Sequence, residues 1–119
     1  MKQPLTIGFI GLGLIGGSIA KAIRYYYPDT RIIAHTRSQA TIDYALNEQI
    51  IDIACDQVDA RFSECDYIFL CAPVEANASY LEILKSLIQP GCILTDVGST
   101  KTDIHTHVAD LGLESQFIG

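Results

Sequence analysis

A glycine-rich stretch near the amino terminus constrains the fold of this chain more than any other segment. Residues 6–20 read TIGFIGLGLIGGSIA. An apolar run precedes Gly11, Gly13 and Gly16, and apolar residues then recur at helical spacing. This order predicts a buried strand, a tight turn and a helix. In that context a G-x-G-x-x-G pattern indicates a dinucleotide-binding turn.

Each glycine of the turn has its own steric role. Gly11 permits the tight turn off the strand, Gly13 lets a diphosphate approach the bare backbone, and Gly16 lets the helix close onto the strand. Leu14 and Ile15 open the helix, whose free N–H groups and positive dipole end would face the phosphates. We expect all five residues to bind the cofactor.

Length and composition fit one globular domain. The chain has 119 residues, of which 49% are hydrophobic and 18% are charged, enough for a core. A net charge of −6 argues against a nucleic-acid partner, because tracking phosphates needs clustered Lys and Arg. The apolar segment 5–20 resembles a short membrane span, but glycines interrupt it and it is shorter than the ~20 residues that a span needs. We therefore expect no membrane partner.

The cysteines and histidines give no metal-site pattern. None of the four cysteines forms a C-x-x-C pair, so we expect reduced thiols, no bound metal and a cytoplasmic protein. His105 and His107 are two apart on a predicted helix and point to different faces. His35 is expected near the adenosine end of the cofactor, too far from the chemistry to act as its base.

The rest of the chain alternates strand and helix patterns. This favours an α/β fold of the Rossmann type, a doubly wound, mainly parallel sheet with helices on both faces. Strands are expected at 31–35, 50–53, 66–71 and 92–95, helices at 14–27, 39–49 and 75–88, and a polar loop at 56–64. The sheet-facing residues of the first two helices are predicted to be Ile15, Ile19, Ala22, Ile23 and Tyr26, and Ile42, Ala45 and Leu46. The adjacent tyrosines 25–27 are expected to pack rather than to stack on a ligand.

The segment after the second strand bears on the choice of cofactor. In this fold an acidic residue about 20 positions beyond the glycine turn binds the ribose 2′-hydroxyl of NAD. Thr36 occupies that position, followed by Arg37 and Ser38. Two hydroxyls and a guanidinium can donate to a 2′-phosphate, which a carboxylate would repel. The segment favours NADP over NAD, although Ser38 could also cap the next helix and Arg37 could be solvated.

Two further strand ends are candidate site segments, because ligands of open parallel sheets lie beyond the carboxyl ends of the strands. Cys71, Ala72, Pro73 and Val74 follow one strand, and small residues there keep the backbone close to a cofactor. They could equally form a plain loop before a helix. Gly98 and Ser99 follow the last long strand, where a reacting ring would lie, and Thr100 and Asp103 have the spacing of a capping box. The segment could therefore be only a capped turn.

These motifs together resemble the nucleotide-binding domain of the prephenate dehydrogenase family, which includes arogenate dehydrogenases. The resemblance spans nearly the whole chain and is carried by residues 11–18, 71–74, 95–101 and 117–119. Segment 95–101, TDVGSTK, is much more specific than the glycine motif. Another dehydrogenase, such as an imine or β-hydroxyacid reductase, generally has other residues there, and a non-catalytic nucleotide-sensing module is the remaining alternative.

The resemblance implies oxidative decarboxylation of prephenate to 4-hydroxyphenylpyruvate, on the route to tyrosine, with NAD or NADP as the hydride acceptor. It implies that Ser99 hydrogen-bonds near the catalytic histidine and the substrate hydroxyl. That histidine is expected in a Gly-His-Pro segment just after Gly119. A helical second domain is expected to supply substrate-binding arginines and the contact of a homodimer. Residues 1–119 alone are expected to bind nucleotide but to turn over prephenate, or arogenate, negligibly.

Overall fold

The computed structural model describes residues 4–72, 74–97, 106 and 108–118. Within them, six strands are β1 Thr6–Ile10, β2 Arg31–His35, β3 Ile53–Cys55, β4 Tyr67–Leu70, β5 Ile93–Asp96 and β6 Phe117–Ile118. The α-helices are α1 Leu14–Tyr26, α2 Gln39–Asn47 and α3 Val74–Lys85, and residues 106 and 108–110 are also helical.

All described strands pair in parallel in one sheet, in the order β3-β2-β1-β4-β5-β6. The chain runs outward from β1 to β3, returns to β4 beside β1, and then runs outward in the other direction. One apolar cluster packs α1 and α2 against one face, and a second packs α3 and Val108 against the other. The doubly wound Rossmann-type fold is therefore confirmed, and its strand order reverses between β1 and β4.

The sheet-facing side of α1 differs from the predicted stripe. Gly16 and Ala20 are buried, and Ile19 and Ile23 are half-buried against the same cluster. The other predicted members, Ile15, Ala22 and Tyr26, are exposed. The helix approaches the sheet most closely through Gly16 and Ala20, with Ile19 and Ile23 at the margin of the contact. Tyr25, Tyr26 and Tyr27 are 79%, 70% and 68% exposed, so their predicted packing was wrong.

A short third strand was predicted at 50–53; β3 does lie at one end of the strand order but begins only at Ile53, and Ile50 and Ile51 form the ending of helix α2 instead. The N–H of Ile50 donates to Ala45 O at 2.8 Å and that of Gln49 to Leu46 O at 3.1 Å, with Gln49 at φ +57°. This is a Schellman ending, in which an apolar residue after the left-handed position packs back on the helix. Ala45 is buried as predicted and Ile42 is half-buried, but Leu46 is 41% exposed.

The predicted polar loop 56–64 contributes to the core. It contains the 3-10 turn Ala60–Glu64, whose Phe62 is fully buried under the central strand. A Cβ at Gly8 would lie 3.0 Å from the Phe62 ring and 2.8 Å from Cys65 Sγ. β1 therefore approaches this turn closely because position 8 has no side chain.

Among the described helices, none is long and apolar enough to cross a membrane. The capping box proposed for Thr100 and Asp103, and His105 and His107, lie outside the described residues.

Candidate functional site

The turn from β1 into α1 has the geometry that its glycines predict. Gly11 has φ +87°, in the left-handed region, and its N–H donates to His35 O of the neighbouring strand. A Cβ on Gly11 would lie 2.8 Å from the backbone nitrogen of Ala72. Both the backbone angle and the lack of space therefore require glycine at position 11.

Gly16 and Gly13 differ in what surrounds them. A Cβ on Gly16 would lie 3.0 Å from Gly11 O and 3.1 Å from Cys71 Cβ, so this glycine lets α1 pack directly on the end of β4. A Cβ on Gly13 would meet nothing within 4 Å. Gly13 is the N-cap residue of α1 and makes no side-chain cap hydrogen bond, and the first turn holds no acidic residue. Among the described residues, the first N–H groups of α1 consequently lack a side-chain acceptor.

A cleft of about 680 Å³ lies at this turn, where the strand order reverses. Its volume falls in the range of ligand pockets, ~300–1,000 Å³. Three segments line it: the glycine turn, the end of β2, and the end of β4 with the first half of α3. The lining residues are Gly11, Leu12, Gly13, His35, Thr36, Arg37, Ser38, Cys71, Ala72, Ala76, Ser79 and Tyr80.

The end of β2 brings all three residues proposed to choose the cofactor into the cleft. Thr36 is half-buried, and Arg37 and Ser38 are exposed. Ser38 Oγ accepts a hydrogen bond from the N–H of Thr41 at 3.2 Å and so caps α2, which confirms that alternative. Arg37 forms no ion pair with any residue in the described part of the chain. Its guanidinium is therefore available to a ligand.

The end of β4 forms the opposite wall. Burial, with a smaller contribution from Asp96, raises the pKa of the Cys71 thiol to about 12. The thiol is protonated at neutral pH and half-buried, which fits a packing role and argues against a nucleophile. Val74 begins α3, whereas Pro73 lies outside the described residues.

His35 and Tyr80 form a contact that sequence reasoning missed. His35 is 9% exposed; its Nδ1 lies 3.0 Å from Cys55 O and its Nε2 3.2 Å from Tyr80 Oη. The two rings meet edge-on with centroids 5.6 Å apart. The sequence placed His35 at the adenosine end but counted Tyr80 only as an apolar position of its helix. The available signal was strand parity, since His35, like Ile33, belongs to the α3 side of the sheet.

The two residues predicted to lie beside the reacting ring, Gly98 and Ser99, lie outside the described residues. The last described positions before them are Asp96, 3% exposed at the end of β5, and Val97. The N–H of Val97 donates to Leu70 O at 3.2 Å, so β5 leads directly toward the same edge of the sheet. The described part of the chain holds no group of three His, Cys, Asp or Glu side chains suited to a metal ion.

Comparison with known proteins assigns the family. The family model described as "Prephenate dehydrogenase, nucleotide-binding domain" matches residues 19–119. Prephenate dehydrogenase of Bacillus subtilis is 40% identical over 117 residues, which cover 96% of this chain and 31% of that protein. The chain thus spans about a third of that relative's length.

Solved structures agree with this assignment. The crystal structure of Synechocystis arogenate dehydrogenase has a TM-score of 0.80 and 34% identity, covering 90% of this chain and 37% of that one. Prephenate dehydrogenase from A. aeolicus, solved with hydroxyphenyl propionate and NAD+, has a TM-score of 0.85 over 98% of this chain and 41% of that one; at 24% identity it supports the fold. The chain belongs to the family of prephenate dehydrogenase nucleotide-binding domains.

Proposed function

We propose that this chain is the cofactor-binding domain of a prephenate dehydrogenase and that its cleft holds NADP or NAD. The observation that carries the proposal is the open, uncapped start of α1 at Gly13, at the point where the strand order reverses. Main-chain N–H groups at such a helix start bind phosphate oxygens. The absence of a Cβ at Gly13 leaves room for a diphosphate against the backbone.

The cleft residues would hold and orient the dinucleotide. Its diphosphate would lie on the turn formed by Gly11, Gly13, Leu14, Ile15 and Gly16, and its adenosine ribose beside residues 36–38. Residues 71–74, 98 and 99 would lie along the nicotinamide half. When bound, the nicotinamide supplies the hydride acceptor for oxidation of a cyclohexadienol that loses carbon dioxide as its ring becomes aromatic. The helical second domain that we propose to follow would supply the catalytic histidine and the substrate-binding arginines.

Titration calorimetry with NAD and NADP tests the proposal, using a matched pair of glycines. A Cβ meets nothing within 4 Å at either Gly13 or Gly91, but Gly91 precedes β5 at the opposite edge of the sheet. Gly13→Ala is expected to weaken dinucleotide binding at least tenfold, because the methyl group would occupy the diphosphate position. Gly91→Ala should bind like the parent chain, and the thermal midpoint of each variant shows that it is folded. Undetectable binding by the parent chain, or equal binding by both variants, would contradict the proposal.

Within this function we propose a preference for NADP. It is supported by the absence of a carboxylate at positions 36–38 and by the guanidinium of Arg37, which lines the cleft and forms no ion pair within the described residues. Ser38 can cap α2 with its oxygen and still donate its proton to a 2′-phosphate. Arg37→Ala should lower NADP affinity roughly tenfold, the size of a lost charged hydrogen bond, and leave NAD affinity unchanged. Equal or NAD-favouring affinity of the parent chain would remove this role of Arg37.

Prephenate is the proposed substrate of the whole protein, and arogenate is the alternative that the Synechocystis relative favours. Both substrates would react through the same hydride transfer to the nicotinamide, so the cofactor cleft is compatible with either substrate. We propose that the whole protein is a cytoplasmic homodimer; the four free thiols, none of them in a disulfide, fit a reducing compartment. Residues 1–119 alone should show negligible turnover of both substrates, and a robust rate would contradict the assignment of the catalytic histidine to a later segment.

A further inference from the structure

The hydrogen bonds around His35 fix which atom carries each proton. A backbone carbonyl can only accept, so the contact of Nδ1 with Cys55 O requires a hydrogen on Nδ1. In a neutral imidazole the other nitrogen is then an acceptor. Nε2 therefore accepts a hydrogen bond from the hydroxyl of Tyr80, at 3.2 Å.

This arrangement determines what Tyr80 presents to the cleft. Its single hydroxyl hydrogen is committed to His35, and its oxygen retains a lone pair to accept a further hydrogen bond. His35 is held on the other side by β3, since His35 and Cys55 are register partners and His35 is only 9% exposed. Tyr80 is held in place because its ring is half-buried against the core cluster under α3. The pair is thus a rigid acceptor on the α3 wall of the cleft.

The place of this acceptor along the cleft indicates what it meets. If the diphosphate lies on the glycine turn and the ribose beside residues 36–38, the base lies beyond them, between the end of β2 and Ala76, Ser79 and Tyr80 of α3. Adenine carries hydrogen-bond donors only on its 6-amino group, whereas its unsubstituted ring nitrogens are acceptors. We infer that Tyr80, oriented by His35, accepts a hydrogen bond from the adenine 6-amino group and determines specificity for that base. This inference rests on the proposed dinucleotide function.

The probe is nicotinamide hypoxanthine dinucleotide, which carries a 6-oxo group in place of the 6-amino group of NAD and a hydrogen on the adjacent ring nitrogen N1. That oxygen would face the lone pairs of Tyr80, and binding should be about tenfold weaker than that of NAD, the effect of one unmade hydrogen bond. Calorimetry at pH 8 measures both dinucleotides on the same protein. The ratio of the two affinities is the readout, and a change in stability alone does not alter it.

Variants then assign the ratio to the two residues. Tyr80→Phe removes only the hydroxyl and should bring the ratio close to one. Tyr25→Phe removes the same atom from a 79% exposed ring near the far end of α1, and should keep the parent ratio. In His35→Asn the shorter amide can still donate to Cys55 but places no acceptor within reach of Tyr80. The ratio of the two affinities should therefore also fall. His35→Gln, whose longer amide can reach Tyr80 with its oxygen, should partly restore it.

The outcomes separate the inference from the function beneath it. A parent chain that binds both dinucleotides equally well, or a Tyr80→Phe variant that keeps the full ratio, overturns the role of Tyr80 and leaves the dinucleotide site standing. A parent chain that binds neither dinucleotide overturns both. The inference is supported if the parent chain and the Tyr25→Phe variant bind NAD more tightly than the hypoxanthine dinucleotide, whereas the Tyr80→Phe variant binds both equally.

Discussion

The two edges of the parallel sheet differ in what their polar groups contact. At the amino edge, the Asp52 carboxylate accepts from the N–H of Ile32 at 2.8 Å and from Arg24 at 2.7 Å. At the carboxyl edge, the first N–H groups of α1 have no side-chain cap, and Arg37 has no ion-pair partner in the described residues. The protein closes one edge with its own side chains and leaves donors available at the other. With the proposed function, stability and binding would depend on opposite edges of one sheet.

Arg24 connects the elements that meet at the amino edge. Its guanidinium donates to four backbone carbonyls and one carboxylate, those of Gln49, Pro28, Thr30, Ile50 and Asp52. Two of these acceptors lie between α1 and β2 and three lie between α2 and β3, so one side chain ties two connections together. The planar fork of arginine suits such a set of acceptors better than the single ammonium of lysine.

The largest expected effect is at the carboxyl edge, where a substitution disturbs both fold and binding. Gly11→Ala should lower the free energy of unfolding by about 3 kcal/mol, because it combines an unfavourable positive φ with a Cβ placed 2.8 Å from backbone. Gly112→Ala is the control: its φ is +71° but nothing lies within 4 Å, so the loss should be about 1 kcal/mol. Urea unfolding measures both. Equal losses would show that the contact with Ala72 is unimportant.

A smaller effect is expected at the amino edge, and it should spare the ligand. Arg24→Ala leaves several carbonyls without a donor and should cost about 2 kcal/mol of unfolding free energy. Arg31→Ala removes an exposed ion pair with Glu64 and should cost no more than about 0.5 kcal/mol. NADP affinity of the folded Arg24→Ala variant, measured by calorimetry, should match the parent chain. A folded Arg24→Ala variant with weakened affinity would mean that the two edges are coupled.

The smallest predicted effect is a gain in stability. Gln49 has φ +57° at the end of α2, a conformation that glycine adopts without steric cost. Gln49→Gly should stabilise the fold by about 0.5 kcal/mol, since Arg24 contacts only the backbone of this residue. Glu48→Gly, at φ −85°, lacks that strain and should destabilise instead. The thermal midpoints of the two variants should therefore shift in opposite directions; shifts of the same sign would argue against strain at Gln49.

Sequence reasoning succeeded where the cause of a structure is local. The positive φ at Gly11 and the cap at Ser38 each follow from sterics or a hydrogen bond within a few residues, and the bounds of β2 follow from a short apolar run. It failed where packing between elements decides. The glycine motif predicted the close contact at Gly16, but apolar spacing on α1 could not extend that contact to Ala20, because close approach favours small residues over large ones.

The same limit applies to the site. Ile50 is buried as part of a helix ending rather than as a strand, and apolar character alone does not distinguish the two. His35 and Tyr80 are 45 positions apart, and only the strand order and the crossover of α3 bring them together. The parts of the cleft formed by the glycine turn and the strand ends could be predicted from short motifs. The part formed by α3 could not.

The bare start of α1 implies that the ligand acts as the missing cap of this helix. Phosphate oxygens would accept from N–H groups that the chain leaves to water, so occupancy would slow amide hydrogen exchange in the first turn after Gly13. The free energy of unfolding would then rise with dinucleotide concentration, by about 2.7 kcal/mol when that concentration is a hundredfold above Kd. In a cell, the folded lifetime of this domain would follow the supply of its coenzyme.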